Sequence, residues 1–216
     1  MSATARKPSR PRLIERIFEW AWLKAADHRT VDGLLIAGDN SEIDKVAEAL
    51  SLIRQHDPIR YRRLTQDLKR IWVTILPGYR GCFIRASWTC ELEERFVRDE
   101  NTTPDLVASV IVHEATHARL ERVGISYEES ARARIEQVCI RQQLVFAARL
   151  PQAGELQLEA SALLENLPSM SNEAMAERFS AGWANAARHY KFPEWLIRIA
   201  VTRLERRQIA VAKDSS

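Results

Sequence analysis

Two histidines four residues apart, with a glutamate beside the first, stand at His113-Glu114-Ala115-Thr116-His117. On an α-helix, residues i and i+4 lie one above the other, so both imidazoles can reach a single metal ion. Glu114 projects next to the pair, where its carboxylate can take a proton from a water held by that ion. Leu106, Val110, His113, His117 and Leu120 recur at helical spacing, which makes the histidine face an inward-pointing stripe. Two isolated core histidines would need no carboxylate between them, so the pattern points to hydrolytic metal chemistry.

A catalytic zinc ion takes three protein ligands and leaves a fourth position to water. The longer motif that adds a glycine and a third histidine is excluded, because Leu120 and Val123 occupy those places. Glu121 continues the stripe but lies one full turn past His117, about 6 Å along the axis, which makes it a poor ligand. The following segment offers Glu128, Glu129 and Glu136. Glu136 shares a helical sector with Cys139, Ile140, Ala147 and Leu150, and a carboxylate among such neighbours must be either paired or metal-bound. Arg132, one turn earlier, could neutralise it as a plain ion pair or orient it as a ligand. Glu129 has a local use instead, in a capping box with Ser126. Cys90 is a further candidate third ligand, in a deformylase-like amide hydrolase. Tyr127, His189 and Tyr190 are candidate oxyanion donors by residue type alone.

The elements that must position these groups follow from pattern. Residues 1–11 hold two prolines and no apolar periodicity, so they are expected to be a disordered basic arm. Leu13, Ile14, Ile17, Phe18 and Ala21 predict an amphipathic helix over 12–27. Ser41 is expected to cap a second helix to about Gln55, and Asp57-Pro58 to start a third, to about Arg70. Trp72–Leu76, Cys82–Ile84 and the alternating segment 88–97 read as three short strands of a small antiparallel sheet. Thr103-Pro104-Asp105 opens the histidine helix and Gly124 closes it. The capping box at Ser126 opens the next helix, which ends at Pro151. Further helices are expected at 155–166, from Asn172 to about Arg188 and from Pro193 to about Ile209.

The motif helix followed by a glutamate helix resembles the zincin superfamily of zinc metallopeptidases, in its gluzincin arrangement. There the glutamate lies some twenty residues past the second histidine; Glu136 follows His117 by 19. The resemblance covers about residues 86–151. It implies zinc held by His113, His117 and Glu136, Glu114 as catalytic base, and the strand at 88–97 pairing with an extended peptide or protein substrate. The run Phe146-Ala147-Ala148-Arg149-Leu150-Pro151 is also similar to the end of the glutamate helix in the ImmA/IrrE-like intracellular metallopeptidases. The implied fold is zincin-like: α+β and mostly α, with the three-stranded sheet beside the two site helices and with flanking helices.

Length and composition agree with one such domain over 12–212. The chain has 216 residues, 46% hydrophobic and 28% charged, with only seven glycines, which excludes a disordered or turn-rich all-β chain. The net charge of +3 is concentrated near the start, where Arg6, Lys7, Arg10 and Arg12 lie in an otherwise nearly neutral sequence. No zinc-finger spacing or aromatic strand signature marks a nucleic-acid reader. No apolar run suits a membrane span and no signal-peptide pattern is present. Three cysteines without a CxxC pair exclude a disulfide framework and fit a cytoplasmic protein. A non-catalytic zinc-binding or protein-interaction domain is the alternative to an enzyme.

Overall fold

A computed structural model describes residues 27–199 and 201–202. The expected basic arm and nearly all of the helix over 12–27 lie outside the described residues, as does the end of the helix expected at 193–209. The first described element is a hairpin, β1 (Asp27–Val31) and β2 (Leu34–Gly38). Its turn is Asp32-Gly33, with φ of 48° and 83°, left-handed values that aspartate and glycine adopt most readily. Helix α1 (Asn40–His56) is capped by Asp39 in a capping box with Glu42, two residues upstream of the expected Ser41. Helix α2 (Pro58–Asp67) opens as expected at Asp57-Pro58.

Strands β3 (Arg70–Thr74), β4 (Gly81–Ile84) and β5 (Thr89–Glu93) complete one five-stranded sheet in the order β1-β2-β3-β5-β4. The sheet is mixed, which corrects the expected three-stranded antiparallel one. β2, β3 and β5 run parallel, with Ile36 opposite Ile71 and Ile71 opposite Cys90, while β1 and β4 are antiparallel edges. The segment expected as one strand over 88–97 splits: Thr89–Glu93 is β5, and Glu94–Arg98 is a short helix, α3. β5 is flanked by β3 and β4, so it cannot pair with a substrate. Apolar side chains of the central strands, Ile36, Ile71, Val73, Cys90 and Leu92, form the core with Val46, Leu50 and Ile53 of α1.

Helix α4 (Pro104–Arg122) carries the histidines and has the expected ends. The Thr103 hydroxyl accepts from Leu106 N–H, and Gly124 is left-handed at φ 85°. Val107, Ala108, Ile111, Val112, Ala115 and Ala118 bury one side of α4 in the core, which leaves the histidine stripe half-buried and facing helix α5 (Glu129–Ala147). The expected capping box does not open α5. Glu128 is the N-cap, and the Glu129 carboxylate accepts instead from Asn172 N–H at 2.7 Å and Asn172 Nδ2 at 2.6 Å.

Helices α6 (Gly154–Glu165) and α7 (Asn172–His189) follow. α7 meets the β3–β4 turn at two glycines. A Cβ on Gly182 would stand 2.2 Å from Gly78 N and 2.3 Å from Gly78 Cα, while Gly78 itself has φ 84°. Backbone cannot yield as a side-chain tip can, so Gly182→Ala must push α7 off the turn. The expected cost is about 1–3 kcal/mol, read as a lower midpoint of thermal unfolding; an unchanged midpoint contradicts the contact.

Candidate metal centre

The two helices bring together the groups singled out by the motif. His113 Nε2 and His117 Nε2 are 3.1 Å apart. Glu136, on the facing side of α5, places Oε2 3.1 Å from His113 Nε2 and Oε1 3.4 Å from His117 Nε2. Atoms bound to one ion at about 2.0–2.2 Å with tetrahedral angles stand about 3.3–3.5 Å apart. The convergent donors, at 3.1, 3.1 and 3.4 Å, stand at or slightly inside that spacing, and two ring nitrogens with one carboxylate are a donor set suited to a divalent metal ion. Burial disfavours charge on both partners, yet the mutual bonds prevail: the His113 pKa is raised and the Glu136 pKa is lowered.

A sulfur joins this cluster. Cys139, one turn after Glu136 on α5 and fully buried, has its Sγ within 4.8 Å of a ring nitrogen of both histidines. His113, His117 and Cys139 together could hold a metal ion. Cys90, the sulfur considered from sequence, is sealed in the sheet core.

The groups behind the donors differ from expectation in one respect. Arg132 does not pair with Glu136; it donates to Met170 O at 2.8 Å and to Asn172 Oδ1 at 3.0 Å. Its guanidinium lies 5.4 Å from the Tyr127 ring centroid. The Tyr127 hydroxyl takes the orienting place and donates to Glu136 Oε1. Its ring stands edge-on to His117, 5.2 Å between centroids. Tyr127 is thus engaged with a donor and is not free to serve an oxyanion. His189 and Tyr190 pack on each other and do not line the site cavity. Glu121 is paired with Arg85 at 2.7 Å.

Two further contacts concern the back of His113. Gln143 Oε1 is 2.8 Å from His113 Nδ1, and Gln143 Nε2 donates to Ser109 Oγ at 3.1 Å. Neither residue was singled out by motif. Spacing carried the signal: Ser109 is four before His113 on α4, and Gln143 is seven after Glu136 on α5.

No protein-family model, curated protein or solved structure matches the chain.

Glu114 lies apart from the donors, 6% exposed, under the edge strand β4. Gly81 makes room for it: a Cβ there would stand 2.6 Å from Val110 Cγ1, 3.1 Å from Glu114 Cγ and 3.2 Å from Glu114 Oε1. Burial holds the Glu114 carboxyl above its ordinary range, against the opposing pull of His113 and His117. A cavity of about 370 Å³ opens onto His113, Glu114 and Glu136 at one wall and onto Leu106, Leu156 and Ala160 at others. The arrangement provides a metal-donor set, a separate buried carboxylate and space for a substrate on the carboxylate side.

Proposed function

We propose that this chain is a zinc-dependent peptidase that hydrolyses an amide bond in a peptide or protein, with His113, His117 and Glu136 as ligands and Glu114 as general base. The observation that carries the reading is Glu114. It is buried at the wall of a cavity shared with His113 and Glu136, and it bonds to none of the three ligands. A purely structural centre has no need of such a group. When bound, zinc would lower the pKa of a water towards about 7 and polarise the substrate carbonyl.

The residues divide the remaining work. Glu114 accepts the proton of the attacking water on its carboxylate and delivers it to the departing amine nitrogen. Tyr127 holds the Glu136 carboxylate towards the histidines. Among the described residues β4 pairs on one side only, with β5, and its other side, bordering Glu114, offers backbone hydrogen bonds to an extended substrate, the role expected of the segment 88–97. The apolar wall around Leu106, Leu156 and Ala160 suits an apolar substrate side chain.

Cys139 favours a second reading, in which its thiolate completes the shell and the centre only fastens α4 to α5. The test is digestion of a diverse peptide pool by the zinc-loaded protein, with new termini read by mass spectrometry. Cleavage that stops with chelator and returns with zinc is expected. A zinc-replete protein that cleaves nothing in the pool favours the closed, structural centre.

A further inference from the structure

We propose that Gln143 and Ser109 form a positioning relay that keeps the proton of His113 on Nδ1 and so leaves its Nε2 lone pair free for a metal ion. The relay rests on the reading of His113 as a metal ligand and does not depend on hydrolysis. An imidazole coordinates through a nitrogen that bears no proton, so the other nitrogen must carry it and needs an acceptor. Gln143 has one acceptor end and one donor end. The acceptor end, Oε1, faces Nδ1 at 2.8 Å, and the donor end, Nε2, is spent on Ser109 Oγ at 3.1 Å. Turning the amide over would set its N–H groups against Nδ1. The proton would then belong on Nε2, where the ion must bind, 3.1 Å from both Glu136 Oε2 and His117 Nε2. The observed orientation is the one compatible with coordination.

The helices make this geometry repeatable. Ser109 and His113 are one turn apart on α4, while Gln143 reaches them from α5, two turns beyond Glu136. One helix therefore supplies both an ionic ligand and the neutral group that orients another ligand. Glu136 lies in front of the His113 ring and Gln143 behind it. A neutral amide polarises the imidazole less than a carboxylate would, which sets the metal affinity below the level a carboxylate at 143 would give.

That last point gives a test with opposite signs. Gln143→Leu removes the acceptor and should weaken zinc binding by about 10- to 100-fold, the usual range for losing such a partner. Gln143→Glu supplies an acceptor that cannot present a donor to Nδ1, and should bind zinc as tightly as the parent or more tightly. Ser109→Ala unlatches the amide without removing it and should fall between Gln143→Leu and the parent. A merely structural Gln143 predicts the reverse order, since a buried extra charge harms packing more than leucine does. Dissociation constants come from competition with a chromophoric chelator. Long-range 1H–15N correlations on the zinc-loaded parent read the tautomer directly, even if a variant fails to fold.

Protonation of His113 at Nδ1, with leucine weaker than glutamate, is the expected result. Zinc binding by Gln143→Leu equal to the parent, or an Nε2-protonated His113, overturns the relay. A parent that binds zinc with this pattern but cleaves no peptide leaves the relay standing and removes only the peptidase. A parent that binds no zinc removes both.

Discussion

Glu114→Gln should keep the metal and lose hydrolysis by about 10²–10⁴-fold, the range that a positioned general base contributes. The glutamine is nearly isosteric, so the close fit against Gly81 and Val110 is preserved and the three donors stay where they are. What disappears is the site that accepts a proton. The measurement is turnover of any peptide found to be cleaved by the parent, with bound zinc determined on the same samples. Parent-like turnover at full zinc occupancy would remove Glu114 from the mechanism. Loss of zinc together with activity would instead place Glu114 among the groups that hold the ion.

The second large effect concerns the ligand set. His113→Ala and His117→Ala should each abolish stoichiometric zinc binding, because two of three donors cannot hold the ion against solvent. Glu136→Gln should weaken it sharply, since a neutral amide replaces an anion that stands 3.1 and 3.4 Å from the two imidazoles. Glu129→Gln should leave zinc in place: its carboxylate is bonded to Asn172, at the start of α7. Cys139→Ser separates the two views of the centre. Unchanged affinity places the sulfur outside the shell; a loss as large as that of Glu136→Gln makes it a ligand and favours the structural reading. Zinc titration of these variants checks the whole set, and a Glu129→Gln protein that loses the ion while Glu136→Gln keeps it would overturn the assignment.

What was legible in the sequence was what local chemistry dictates. Thr103 with Pro104, and Gly124, mark the ends of α4 through cap geometry and the left-handed φ, and both signals lie within a turn of the end they set. The approach of Glu136 to His113 and His117 was legible because all three fall on periodic helical faces. Contacts between distant segments were not. The Ser126–Glu129 box gave way because Asn172, 43 residues away, takes the Glu129 carboxylate. Arg132 was drawn from its i+4 neighbour by Met170 and Asn172 in the same manner. The sheet suffered most. Register between β2, β3 and β5 is fixed by pairs separated by many residues, such as Ile36 with Ile71. β1 and β2 did carry a local sign, the Asp32-Gly33 dipeptide of a tight hairpin. That sign is weak on its own, because β1 is almost wholly exposed and lacks an apolar alternation.

Gly81 gives the site a second signature besides its pentapeptide. The pentapeptide names the glutamate, but the room that the glutamate occupies is set by a residue on another element. The absence of a side chain at 81 is a demand of a different kind, since a methyl group there already meets Val110 and presses on the Glu114 stem. A descendant or designed homologue with a bulkier residue at that position would still have room for an ion between its helices, but not for an undisplaced glutamate side chain beneath the strand. On the proposed role of Glu114 as base, reading position 81 together with 113, 114 and 117 would therefore separate sequences equipped to turn over a substrate from those equipped only to carry metal.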